Sequence, residues 1–192
     1  MCWDRLQELL TEPDVGILKG KRERNLTKTL ELLIIEWFLI GLSILIATQP
    51  LGLTNTIISV AVIVALFGMA GTLFYGFLTQ IVMNVLGGKG KYYEGLTAMV
   101  YPKIPVSVGL FVGSIFLNFT GVGMLLALVA GIVFMVLGVS TLYRGMKEMF
   151  GVDMIHAWIG ISVLILSTLL ALYAVLLIQL LPQLLTASLT NI

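Results

Sequence analysis

Long apolar blocks separated by short polar gaps dominate the chain. They cover residues 31–49, 56–85, 103–118, 122–143 and 154–181, and a helix needs about 20 largely apolar residues to cross bilayer hydrocarbon. The pattern predicts an all-α fold, an integral membrane protein whose core is a five-span transmembrane helix bundle. Residues 1–30 then form a short N-terminal segment and residues 31–192 a single five-helix domain. The second block is longer than a membrane is thick and contains Gly68, Gly71 and Gly76, so it should tilt, bend or project from the bilayer.

Composition strengthens this class. With 59% hydrophobic residues, 11% charged residues and a mean hydropathy of +1.07, the chain carries more apolar surface than a soluble domain of its length could bury. Charge then sets the expected orientation. The gaps 49–55 and 117–122 and the tail 182–192 are uncharged, while all 11 Lys and Arg residues fall on the other side of the spans. These are Arg5 and the basic residues of 19–28, then Lys89, Lys91 and Lys103, then Arg144 and Lys147. Because cytoplasmic loops retain Lys and Arg, the N-terminus is expected inside and the C-terminus outside, as an odd number of crossings requires. Residues 1–29 are too charged for a signal-peptide core, which leaves insertion to the first span. A single cysteine, Cys2, supports no disulfide framework.

Before the first span, Trp3, Leu6 and Leu10 share one helical face, opposite Asp4, Arg5, Gln7 and Glu8. That face reads as an interfacial helix or as a frayed tail. The cluster Lys19, Lys21, Arg22 and Arg24 fixes topology or attracts anionic lipid. Inside the spans, Gly109 and Gly113 form a G-x-x-x-G. Gly123, Ala127 and Gly131 repeat every four residues, and Gly131, Gly138 and Gly145 every seven. Such spacing serves close packing, first within one bundle and secondly between copies in a homo-oligomer.

Ionisable residues in a membrane are costly and mark candidate sites. Glu36 lies about two turns past Lys28, just before a wholly apolar run. Lys103, among Tyr101, Pro102 and Pro105, is its best-placed partner. The expectation is a Glu36–Lys103 contact or a protonated Glu36. Asp153 and His156, at i and i+3, form a polar cluster that reads first as a helix cap with a satisfied histidine, and only secondly as a metal or proton site. One His, one Cys and no second acid deep in the spans leave no metal set, no Ser-His arrangement and no carboxylate pair. Neither an enzyme nor a cofactor is expected.

The connector LGGKGKYYEGLTAMVYPKIP, residues 86–105, is a polar island with two of the five prolines. It is not a phosphate loop, since Val85 stands where a Walker motif needs its first glycine and Tyr92 follows Lys91. Gly87, Gly88 and Gly90 should end the second span. Tyr92 to Tyr101 should form a short interfacial helix, and Pro102 and Pro105 should open the third span. Lys89, Lys91, Tyr92, Tyr93 and Tyr101 would then present a basic, aromatic patch.

The order of LTEPDVGILKGKRERNLTKTLELL, VLGGKGKYYEGLTAMVYPKIPVSV and VLGVSTLYRGMKEMFGVDMIHAWIGI along the chain resembles the Yip-one domain family, the Ypt/Rab-interacting membrane proteins. Gly88 and Gly90 match that family's G-x-G, and Tyr101 and Pro105 its Tyr-x-x-x-Pro. Val100 replaces a glycine common before the tyrosine. The resemblance implies five spans with an inside N-terminus and a role in membrane trafficking or organisation. The longer N-terminal region of eukaryotic members and its Asp-Leu-x-Gly-Pro motif have no counterpart, so Rab binding does not carry over. The short N-terminus is similar to that of prokaryotic members, which implies a prokaryotic cell membrane. The expected function is non-enzymatic: a scaffold or adaptor that engages the lipid bilayer and a protein partner, with no nucleic acid, through a cytoplasmic face including Gly88, Lys89, Gly90, Lys91, Tyr92, Tyr93, Tyr101 and Pro105. The alternative is a small oligomeric channel or transporter gated by Glu36 and Lys103.

Overall fold

The apolar blocks become helices. The computed structural model describes residues 2–49, 54–119 and 121–189, and its regular structure there is α-helical. The helices are α1 (Cys2–Thr11), α2 (Pro13–Glu23), α3 (Leu26–Thr48), α4 (Thr54–Val85), α5 (Tyr92–Phe116), α6 (Gly123–Phe150) and α7 (Met154–Leu189). Four stretches, Leu26–Thr48, Thr56–Val85, Tyr92–Phe116 and Gly123–Phe150, are long and apolar enough to cross a membrane, and Met154–Leu170 is a shorter apolar helix. The central part of the uncharged gap 49–55, the Trp3 side chain and the last three residues lie outside what is described.

Helix α5 is the axis on which α3, α4 and α6 pack. Small residues make that possible, because apolar side chains gain little by leaving lipid for a helix neighbour and close backbone approach must supply the attraction. A Cβ on Gly95 would collide with the Gly76 carbonyl of α4. One on Gly109 would enter Phe134, and one on Gly138 would meet Val106. Gly109 and Gly138 therefore serve packing within the bundle, whereas Gly131 faces open space.

Three expectations are corrected. Residues 92–101 are not a separate interfacial helix, and Pro102 and Pro105 do not open the third span; both prolines lie buried inside a continuous α5. The helix starts earlier because Glu94 reaches back to accept the Lys91 N–H at 2.9 Å. Neighbouring helices α3, α4 and α6 then keep the chain helical through the prolines' missing donors. Arg144 and Lys147, beyond the expected fourth span 122–143, lie on α6, which continues to Phe150 because Met146, Met149 and Phe150 are buried; Gly151, at φ 66°, ends it. The tail expected from Pro182 onward is helical to Leu189, as its leucine-rich sequence favours.

The N-terminal segment is helical rather than frayed, and it holds two helices. It folds as a helical hairpin, α1 and α2, across the basic end of the bundle. Pro13 sits at the start of α2, where its missing N–H costs nothing. Leu6, Leu9 and Ile17 are buried beneath the hairpin.

Candidate functional site

One face of α3 repeats buried positions at helical spacing: Thr29, Leu32, Leu33, Glu36 and Ser43. It lies against α5, where the Thr29 and Thr97 hydroxyls meet at 3.3 Å. About two turns along, the same face buries Glu36 completely, and neither carboxylate oxygen has a hydrogen-bond partner among the described residues. Lys103 approaches from α5 with Nζ 3.8 Å from Glu36 Oε1, an ion-pair distance too long for a hydrogen bond. Its ammonium instead donates to Thr72 Oγ1 on α4 at 2.7 Å and lies 5.7 Å from the centre of the Trp37 ring. Trp37 Nε1 donates to the same hydroxyl at 3.1 Å, and the hydroxyl donates to the Gly68 carbonyl at 3.0 Å. Thr72 thus uses both acceptor positions and its one donor.

The structure brings Glu36 and Lys103 together, as their positions in apolar surroundings suggested. Trp37 and Thr72 were missed. A threonine or tryptophan in an apolar helix carries no spacing signal, although Gly68 one turn before Thr72 leaves the room that the Trp37 ring occupies. Two unit charges at this separation attract by about 4 kcal/mol at an effective dielectric constant of roughly 20. Removing each ion from water costs several kcal/mol, so the pair approaches balance rather than anchoring the fold.

The second polar region is the basic end. Asp14 of α2 pairs with Arg144 of α6, Arg24 Nη2 lies 3.3 Å from Glu94 Oε1, and Lys21 donates to the Glu148 carbonyl. Tyr93 donates to the Gly20 carbonyl at 2.8 Å. The adjoining glycine loop is clipped by Asn84, whose side chain both donates to and accepts from the backbone of Gly90, at 3.0 and 3.1 Å. Lys89 N–H donates to the Phe150 carbonyl at 3.1 Å, and Gly88 N–H to that of Met83 at 2.9 Å. Gly90 lies flat on the Phe150 ring, where a side chain would not fit.

Asp153 and His156 lie outside both regions. Asp153 Oδ1 accepts the His156 backbone N–H at 2.9 Å and faces Nδ1 of the ring at 2.5 Å. The backbone donor first, and the ring second, hold this exposed carboxyl below its ordinary value of 3.8. Its place is that of a cap at the start of α7.

Helix order, glycine loop and the paired prolines all fall within one family-wide match, since residues 8–178 of the 192 match the Yip1 domain. The chain belongs to the Yip1 domain family. Comparison with curated proteins and with solved structures returned no match. Within this Yip1 domain the motif residues have distinct surroundings. Gly88 and Gly90 let the loop close against α6, while Tyr101 and Pro105 are buried in α5 and do not reach the surface expected of them. Tyr92 and Tyr93 are half-buried, with hydroxyls turned to the Leu73 and Gly20 carbonyls. Of the predicted patch, Lys89 and Lys91 remain exposed. Tyrosines faced inward because bundle carbonyls offered partners that sequence does not reveal.

Proposed function

We propose that this Yip1 domain protein is a non-enzymatic membrane scaffold whose basic end docks a protein partner. The carrying observation is the α1–α2 hairpin, tied across α5 and α6 by the Asp14–Arg144 and Arg24–Glu94 pairs and by Tyr93. That arrangement gives Lys19, Arg22, Lys89 and Lys91 exposed positions on a fixed platform rather than on mobile tails. In this reading α3 to α7 make five crossings, with the platform and the N-terminus inside and the C-terminus outside, in a prokaryotic cell membrane.

A second reading, a channel or transporter gated at Glu36 and Lys103, draws on the two carboxylate oxygens without partners. Proteoliposome flux across neutral and ionic solutes separates the two. The scaffold reading expects no flux from the unmodified protein, and photocrosslinks from position 91 that Arg22→Glu with Lys89→Glu removes. Solute flux abolished by both Glu36→Gln and Lys103→Ala would sink it. The topology is checked by introduced cysteines, with Lys89→Cys labelled from inside and Gly121→Cys from outside.

A further inference from the structure

Two grooves meet at one aromatic pair. The first, about 350 Å³, runs between α2 and α6 and is lined by Asp14, Ile17, Tyr143, Arg144, Lys147 and Glu148. Arg144 is taken by Asp14, whereas Lys147 is exposed and makes no ion pair among the described residues; the Glu148 carboxylate beside it is offset by Lys21, whose ammonium lies at the Glu148 carbonyl, so one positive charge is left over. The second, a shallow trough of about 470 Å³ along α7, is almost wholly apolar and includes Met154, Ile155, Trp158, Ile159, Val163 and Leu166. Tyr143 lines the first groove and Trp158 the second, and their rings stack with centroids 5.6 Å apart at 26°. Met154 and Ile155 open the trough at the start of α7 and Trp158 follows one turn on, so the cation and the aromatic pair stand at its basic end and the apolar lining continues inward through Ile159, Val163 and Leu166. This is the order of phosphate, interface and acyl chain across one leaflet.

We propose that the α2–α6 groove and the α7 trough together bind one anionic phospholipid. Its phosphate pairs with Lys147, its glycerol region lies at Tyr143 and Trp158, and one acyl chain follows Ile159, Val163 and Leu166. The site requires that α6 and α7 lie in the membrane and is independent of the docking platform, which uses Arg22, Lys89 and Lys91. Exposed Val15 and Leu18 on α2 would border the same headgroup layer.

The test is native mass spectrometry of the full chain released from nanodiscs of phosphatidylcholine with and without phosphatidylglycerol. The expected result is preferential retention of one phosphatidylglycerol. Lys147→Ala should lower that retention about fivefold, the effect of one basic residue at an anionic surface, and Ile159→Trp should lower it by filling the trough. Lys28→Ala and Val133→Trp, outside both grooves, should leave it unchanged. The proposal is overturned if Lys28→Ala lowers retention as much as Lys147→Ala, if Ile159→Trp changes nothing, or if phosphatidylcholine is retained equally well. Should Ile159→Trp alter the helical circular dichroism, Leu166→Trp replaces it and is held to the same outcomes.

Discussion

Glu36 has no exposed surface and no hydrogen bond among the described residues, so its tolerance within the bundle depends on the charge of Lys103. Removing one member of a buried pair strands the other, which typically costs about 3 kcal/mol or more. Lys103→Ala should therefore destabilise the protein by about that amount, while Glu36→Gln, which leaves Lys103 its Thr72 contact, should cost less. Adding Glu36→Gln to Lys103→Ala should recover part of the loss. Unfolding in mixed micelles measures all three, and strict additivity would mean that the two side chains do not interact. Asp153 gives a different kind of test because it lies in solvent. Its carboxyl is held below 3.8 by the His156 N–H, so its contribution to α7 is fully present above the unfolded value and is lost as pH falls through the lower, folded one. The His156 amide shift should titrate with a midpoint below 3.8, and Asp153→Asn should remove that titration. A midpoint at or above 3.8 would contradict the cap.

Among the elements, α3, α4 and α6 were legible because an uninterrupted apolar run of membrane length has few alternatives. Helix α5 was misread at its start. Proline statistics place Pro102 at a helix beginning, but Glu94 had already closed the first turn and the surrounding helices buried what followed. Local rules do not contain that competition, since it is decided by residues far away in sequence. The same holds for the hairpin: the apolar face of Leu6 and Leu10 gave the first helix, yet nothing near Asp14 announces Arg144. Glu36 and Lys103 were legible as isolated charges in apolar blocks, while Thr72 and Trp37 became visible only once α4 was placed across α3. Glycines separate the two levels well. Gly131 carries the small-residue spacing in sequence and Gly95 does not, yet a Cβ on Gly95 meets the Gly76 carbonyl and one on Gly131 meets nothing within 4 Å. Gly95→Val should drive α4 from α5 and cost about 1–3 kcal/mol or prevent folding. Gly131→Val should be within about 0.5 kcal/mol of the unmodified protein. Thermal stability in detergent compares them directly, and equal losses would deny that α5 is the packing axis.

For the whole molecule, the question is what keeps a polar hairpin on the end of an apolar bundle. Burial of Leu6, Leu9 and Ile17 supplies the non-directional part of the attraction. Direction comes from the ionic contacts, because Asp14 and Arg144 belong to elements that only the folded chain brings together. Both side chains are more than a third exposed, and an exposed pair contributes at most about 1 kcal/mol. Arg144→Asp, which loses the attraction and adds a repulsion of similar size, should therefore leave the bundle folded while raising the fraction of molecules with the hairpin open by up to about thirtyfold. Trypsin reads that fraction through cleavage within Lys19 to Arg24, a segment whose Gly20 carbonyl is held by Tyr93 in the closed state. The single substitution should speed cleavage, and Asp14→Arg combined with Arg144→Asp should return it toward the unmodified rate, since the pair is restored with its charges exchanged. Added salt should speed cleavage of the unmodified protein and slow that of Arg144→Asp, because screening weakens the attraction in the first and the repulsion between Asp14 and the introduced carboxylate in the second. If the double exchange cleaves as fast as the single one, the Asp14–Arg144 pair does not set the position of the hairpin.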